Sequence, residues 1–327
     1  MTIRTMALSL LAALWLLPAG AAFAAAADQD EEEPEEHVVT VWSMDLGTEV
    51  DQADARSFFG TIGRDLTPKT TLFVSGDALD YPANFQNGYK SVGLEAGVTH
   101  DFLKHLHVGG ALEHWQATDI VNVNDLKLLA DWRAAPWSFG LRGGYRWSSF
   151  AALQTTATST ASGDTLPAVA SCKLRNLAAG AEGRYQGSVW GGYVSAMSYH
   201  YSEASCHLNL TDGTLQKERL AADAFATLAA PLVSQLAGVA VRHVGREETL
   251  LSSSISGGAS WKHDDLVVKL EYWRQKEHFF GAASNTLAAT GTADLGNATG
   301  VDCTLGLTRG GGVTSGAFVG FGVRARF

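Results

Sequence analysis

The chain has 327 residues, 46% of them hydrophobic and 9% aromatic, with 35 Gly, 7 Pro, 3 Cys and a formal net charge of −10. It is long enough to bury a core of its own, and its acidic balance excludes nucleic acid as an expected partner. A mean hydropathy of +0.01 excludes a bundle of membrane helices but not a barrel whose strands alternate apolar and polar residues.

Residues 1–24 have the layout of a secretory signal peptide: Arg4, an apolar stretch from Met6 to Leu17, breaks at Pro18 and Gly20, and a small-x-small site at Ala22-Phe23-Ala24, with Ala24-Ala25-Ala26 as the rival. The apolar stretch is shorter than the roughly 20 residues of a membrane helix. No Cys follows the cleavage site, so no lipid anchor is expected and the mature chain is expected in the periplasm or beyond it. Residues 25–37 form an acidic segment around Asp28-Gln29-Asp30-Glu31-Glu32-Glu33-Pro34-Glu35-Glu36. Such a block cannot bury a core and is expected to be disordered, as a solvated leader, a tail for a periplasmic partner or a cation-binding tail. Without Arg4 and the seven acids of that block, 23 basic residues face 27 acidic ones, so the remainder is nearly balanced.

From residue 38 to 327 the texture is uniform, rich in Gly and aromatic residues and free of linkers, which predicts one domain. Strands are predicted near 38–49, 55–66, 70–80, 89–101, 105–118, 122–135, 137–152, 171–186, 188–205, 216–230, 235–250, 252–263, 266–280, 284–293, 298–309 and 315–327. That is about sixteen; the weakness of 284–293 makes 14 the runner-up. Alternate connections are short and most carry Pro, Gly, Asn or Asp: Asp65 to Lys69, Phe102 to Lys104, Ala135-Pro136, Gln186-Gly187, Pro231 to Ser234, His263 to Asp265 and Leu295 to Ala298. The long connections, Leu153 to Ala170 and Ser205 to Leu215, fall on the other side. Short and long loops sorted to opposite ends predict an all-β, antiparallel up-and-down barrel.

Within strands the alternation is clear. Trp137, Phe139, Leu141, Gly143, Tyr145 and Trp147 share one face, against Ser138, Gly140, Arg142, Gly144, Arg146 and Ser148. Leu126, Leu128, Ala130 and Trp132 oppose Lys127, Asp131 and Arg133. The Ala-rich stretch from Leu220 to Val241 has the look of a membrane helix, but Asp223 and Pro231 fall inside it; a hairpin turning at Pro231 is preferred. Cys172 and Cys206 fall roughly opposite each other across a hairpin and are expected to form a disulfide in an oxidising compartment. Cys303 sits on an apolar stripe and is expected to stay free.

The last strand ends Ala317-Phe318-Val319-Gly320-Phe321-Gly322-Val323-Arg324-Ala325-Arg326-Phe327, one face apolar and the other small or cationic. It resembles the closing strand of Gram-negative outer-membrane β-barrels, with a porin-like architecture and no more specific family. That resemblance implies contact with outer-membrane lipid and recognition by the barrel-assembly machinery through Phe327. It also implies a transmembrane barrel with short periplasmic turns, long extracellular loops and no cofactor.

On the predicted register the lumen carries Glu95, Glu113, Lys127, Asp131, Arg133, Arg142, Arg146, Glu182, Arg184, Arg219, Asp223, Arg242, Arg246, Lys262, Lys269, Glu271, Asp302, Arg324 and Arg326. These either pair across neighbouring strands or set up a field between an Arg wall and a carboxylate wall that selects ions. Sixteen strands leave an aqueous channel. The function expected first is a channel for small hydrophilic solutes; a polymer exporter, a docking barrel and a lipid-modifying hydrolase are the alternatives. The connection Gln116 to Asn122 is short, so if the lumen has a constriction, Leu153 to Ala170 must make it. His200-x-Ser202 resembles the pair of outer-membrane phospholipases and lipid A deacylases, but with Tyr193, Met197, Tyr199 and Tyr201 assigned to lipid it is expected to face inward, away from an acyl substrate. His100, Asp101, His105 and His107 around one turn are a weak metal candidate, and no metal is expected.

Overall fold

The computed structural model describes residues 41–52, 54–81, 89–117, 121–220, 225, 228–229, 251–278, 283–295, 298–310 and 313–327. The expected signal peptide and acidic segment lie outside these residues, as do Asp223, Arg242, Arg246 and the expected turn from Pro231 to Ser234.

Among the described residues there are sixteen strands: β1 (Trp42–Asp51), β2 (Arg56–Thr67), β3 (Thr70–Tyr81), β4 (Tyr89–Leu103), β5 (Leu106–Ala117), β6 (Val121–Ala134), β7 (Trp137–Thr158), β8 (Thr165–Gln186), β9 (Trp190–Tyr201), β10 (Ala204–Leu210), β11 (Leu215–Leu220), β12 (Leu251–His263), β13 (Leu266–Glu277), β14 (Ala283–Asp294), β15 (Thr299–Gly310) and β16 (Val313–Arg326). Only fourteen of them close the ring. β9 pairs with β8 on one side and β12 on the other, and β10 and β11 extend the sheet from β8 instead of entering the circuit. The barrel therefore matches the runner-up of 14 and not the expected sixteen. The strand predicted at 216–230 is not in the ring: β11 stops at Leu220, and Phe225, Leu228 and Ala229 are helical; the strand predicted at 235–250 lies outside the described residues. The preferred hairpin is corrected to that extent. The predicted strand 188–205 is likewise two strands, β9 and β10.

The seam is made by β1 and β16, antiparallel from Ser43↔Arg326 to Asp51↔Phe318. Trp42 N–H donates to Phe327 O at 2.7 Å and Phe327 N–H donates to Trp42 O at 2.9 Å, so the last residue completes the circuit. Short turns such as 68–69, 104–105, 135–136 and 264–265 lie at the end that carries this junction, here called the near end. The longer connections lie at the far end.

Period-two alternation builds the wall. Phe58, Leu112, Leu128, Leu141, Leu177, Val194, Ile255, Leu305 and Phe321 are exposed on the outside of the ring. Inside, three phenyl rings lie across glycines on the paired strand: Phe59 over Gly47, Phe73 over Gly97 and Phe318 over Gly306, each pair directly in register. Gly180 is required for a different reason: a Cβ there would collide with the Met197 side chain and the Ala196 carbonyl of the paired strand.

β7 and β8 are 22 residues each and continue together beyond the ring at the far end. The expected loop from Leu153 to Ala170 is thus mostly strand. β10 pairs with the extended part of β8, and Cys206 stands directly opposite Cys172, to which it is disulfide-bonded. Cys303 is free and exposed. At the tip, the Ser159 hydroxyl donates to Asp212 at 2.7 Å and the Thr214 N–H donates to Asp212 at 2.8 Å, joining the β7–β8 tip to the β10–β11 turn.

Ala168, Ala170, Cys172 and Leu174 of β8 and Ala204, Cys206, Leu208 and Leu210 of β10 turn one buried face to the inside. They join a single apolar cluster with Trp115, Val121, Val123, Phe150, Tyr201, Leu251 and the helical Phe225 and Ala229. Phe225 meets Phe150 edge-on with ring centroids 5.0 Å apart. The cluster includes Leu79 on β3 and Leu251 on β12, seven strands apart in a ring of fourteen, and both are only 2% exposed. The far end of the lumen is filled with apolar side chains, where a wide aqueous channel was expected. The inner face of the β7–β8 extension supplies part of this closure, together with β10 and the helical residues.

Candidate solute pathway in the lumen

Below the apolar cluster, successive strands bring charged residues into register. Glu95 of β4 faces Glu113 of β5, Glu113 faces Asp125 of β6, Asp125 faces Arg146 of β7, and Arg146 faces Asn176 of β8. Like charges directly opposite are unfavourable on a sheet. Lys127 offsets this from the next row, with its Nζ 2.6 Å from Glu95 and 2.9 Å from Glu113. Arg146 Nη2 donates to Asp125 at 2.5 Å, and the two side chains are 5% and 7% exposed. One step nearer the near end, Arg142 donates to Asp131 and lies 3.7 Å from Glu182, which also accepts from Arg184 at 2.8 Å. Arg133 reaches Asp101 at 3.8 Å and Asp131 at 3.9 Å.

These nine residues, Glu95, Glu113, Lys127, Asp131, Arg133, Arg142, Arg146, Glu182 and Arg184, were all expected inside, and the structure brings them together on one wall from β4 to β8. An Arg wall opposed to a carboxylate wall is not what forms. The two signs interleave as cross-strand neighbours, because adjacent strands place them about 5 Å apart, well inside the Debye length. Lys269 and Glu271 of β13 form a second inward group, 2.8 Å apart, with Tyr193 OH donating to Glu271 at 2.8 Å. Arg324 and Arg326 sit at the near end, 3.3 Å from Asp294 and 3.6 Å from Asp65.

Three side-chain placements differ from expectation. Tyr193, Met197, Tyr199 and Tyr201 point inward, because β9 pairs Ser195 with the inward Glu182 and Met197 with Gly180. The lumen is not uniformly wet, so aromatic residues fit there; Tyr201 OH donates to Leu251 O at 2.8 Å inside the apolar cluster. The same register turns His200 and Ser202 outward. The Ser202 hydroxyl donates to Glu203 O at 3.1 Å and accepts from Arg175 N–H at 3.3 Å, with no bond to His200. Arg219, expected inside, lies on the outer face of β11, opposite Ser205. Asp125 was missed although it shares the parity of Lys127 and Asp131; that alternation was the signal. The histidine group does not converge: His107 bonds Asp101 at 2.8 Å, His100 bonds Thr70 at 2.9 Å and His105 bonds Arg133 O at 2.8 Å. No group of three potential metal ligands occurs among the described residues.

The space left is a cavity of about 400 Å³. Glu95, Asp125, Lys127, Arg142, Arg146 and Asn176 line one side of it, and Phe73, Met197, Tyr199 and Trp273 give it an apolar side. Asn176 is buried and its side-chain N–H donors have no hydrogen-bond partner, so a donor is offered to whatever occupies the cavity. A second space of about 430 Å³ lies toward the near end, among Glu182, Arg184, Tyr193, Lys269 and Glu271.

No family model and no curated protein matches the chain. Among solved structures, the monoaromatic hydrocarbon channel CymD aligns over 88% of each chain at 10% identity with a TM-score of 0.51. The toluene transporter TodX of Pseudomonas putida aligns over 88% of each chain at 9% identity and 0.47, and the KdgM porin over 87% of this chain and 99% of its own at 7% identity and 0.40. The likeness to CymD shows the fold: this chain is built as an outer-membrane channel barrel is built.

Proposed function

We propose that the chain spans the outer membrane and passes small solutes singly through a lumen closed at rest, favouring compact molecules with an apolar body and one polar group. The observation that carries this is the cavity of about 400 Å³, part charged and part aromatic, beneath an apolar cluster that fills the far end. The apolar exterior fits lipid, and the long connections then face the outside of the cell. Phe150 and Phe225 offer an apolar solute contacts that a hydrated sugar or ion cannot use. Below them, Tyr199, Trp273 and Met197 hold the apolar body while the Asn176 amide donates to the polar group. The description of CymD as a hydrocarbon channel supports the same preference and fits a non-enzymatic role.

Flux into proteoliposomes tests this, with benzyl alcohol, glucose and potassium chloride compared on one preparation. Benzyl alcohol uptake should exceed that of protein-free vesicles, glucose uptake should not, and Phe225→Ala should raise ion conductance. Glucose and salt passing freely through the wild-type protein, with no gain for benzyl alcohol, would overturn the proposal in favour of an open hydrophilic pore.

A further inference from the structure

The outward face of the disulfide-stapled β8–β10–β11 sheet continues the apolar exterior of the barrel, and its chemistry changes abruptly. On β8 the exposed Leu177 is followed toward the far end by Arg175 and Lys173, on the same face and about 7 Å apart per step. Arg175 is in register with the exposed Trp147, and Leu177 with Tyr145, so the cations begin where an aromatic girdle marks the edge of the hydrocarbon. Beyond them Lys173 faces Ser205, and Ser205 faces Arg219; Ser171 faces His207, and His207 faces Lys217. None of these four cations forms an ion pair among the described residues. Glu218, the acid nearest in sequence, stands opposite Cys206 and so belongs to the other face. Glu203 lies on the connection between β9 and β10, also outside any ion pair with them.

The same change recurs elsewhere on the ring. On β13 the exposed Leu270 and Tyr272 give way to Arg274 and Lys276, and on β15 Leu305 and Leu307 give way to Arg309. Arg274, Asn285 and Arg309 stand in one cross-strand row. These cations too have no carboxylate partner among the described residues. Basic side chains just beyond an apolar surface are attracted to an anionic membrane interface.

From these two patches we infer that the barrel carries a cationic collar that binds the phosphates of outer-leaflet glycolipids, lipid A in chemical class. The inference rests on the outer-membrane placement proposed above. Its geometry suits a phosphorylated sugar headgroup: guanidinium groups bind phosphate oxygens bidentately, and the acyl chains continue along Leu177, Trp147 and Tyr145. The disulfide and the Ser159–Asp212 bond tie the strands that carry the larger patch to one another.

The test uses the full chain, folded in detergent, titrated with bis-phosphorylated lipid A, with dephosphorylated lipid A and with inorganic phosphate. Wild-type protein should retain bis-phosphorylated lipid A through purification and bind it at least about tenfold more tightly than the dephosphorylated form. The variants K173Q/R175Q/K217Q/R219Q and R274Q/K276Q/R309Q should each weaken binding. R64Q should not, since Arg64 stacks on Trp42 at the opposite end. Should either variant fail to fold, the comparison of phosphorylated and dephosphorylated lipid A on wild-type protein still decides. Equal binding of both lipids, or full competition by millimolar inorganic phosphate, overturns the collar. Solute flux measured on the same protein keeps the two proposals apart: lost flux with intact lipid binding counts against the channel, and the reverse against the collar.

Discussion

Arg146 and Asp125 are among the most deeply buried charges of the lumen wall, and their worth lies in their pairing. Removing one member of a buried pair leaves the other charge without its counter-ion, at a cost of about 3–5 kcal/mol. Arg146→Gln is therefore expected to lower the urea midpoint of the barrel in liposomes markedly, while the double change Asp125→Asn with Arg146→Gln recovers most of the loss. A double variant as unstable as the single one would show that the guanidinium stabilises through packing instead. The pairing also explains why these arginines are poor candidates for setting ion selectivity: Arg142 and Arg146 both face carboxylates within hydrogen-bonding reach. Alternation alone places such residues inside; it does not say whether a neighbouring strand cancels them.

Among the elements, the β7–β8 extension with β10 and β11 has the most consequence, since it turns a plain ring into one with a filled mouth. Its fixed points are the Cys172–Cys206 bond and the Asp212 junction. Non-reducing electrophoretic mobility should change in Cys172→Ser and in Cys206→Ser but not in Cys303→Ser, and the two sensitive variants should also gain conductance as the apolar face loosens. Unchanged conductance would mean that strand pairing alone holds it. The Asp212 junction adds a pH dependence. The Ser159 hydroxyl and the Thr214 N–H stabilise the carboxylate, so the Asp212 pKa lies below its ordinary value. A group depressed in the folded state contributes stability above its unfolded pKa and loses it as pH falls through the folded one. The tip should stay closed from neutral pH down through the usual carboxylate range and open only in stronger acid. Hydrogen exchange at Ala161 and Ser162, whose N–H groups bond Ser159, would follow this; opening already at pH 6 would contradict it.

For the whole molecule, closure depends on the last residue. Phe327 joins Trp42 through two backbone hydrogen bonds and leaves its ring exposed on the outside. Arg326 makes only a solvent-accessible ion pair with Asp65 at 3.6 Å, the kind worth about 0–1 kcal/mol. Deleting Phe327 should reduce the folded, heat-modifiable fraction in membranes strongly, and Arg326→Gln should leave it nearly unchanged. Equal yields from the two would remove the terminal aromatic from the account of closure.

The sequence by itself determined the wall. Strict alternation in β4 to β8 and β13 to β16 places Glu95, Lys127, Arg146 and Glu182 inside and Leu128, Leu141, Cys303 and Phe321 outside, because a strand has only two faces. The Cys172–Cys206 pair was legible for the same reason, as two positions at matching distances from one turn. The strand count in the ring was not. β10 and β11 alternate as well as any barrel strand, and only the pairing of β9 with β12 shows that the circuit closes without them. The facing of Tyr193, Met197, Tyr199 and Tyr201 was equally hidden, since an aromatic stripe suits lipid and an apolar lumen alike. Tertiary pairing decided between them: Met197 packs beside Gly180, and Tyr201 finds its hydrogen-bond acceptor at Leu251, 50 residues away. Local periodicity is set by the geometry of one strand, whereas which strands close a ring, and what fills it, depends on contacts between residues far apart in the chain.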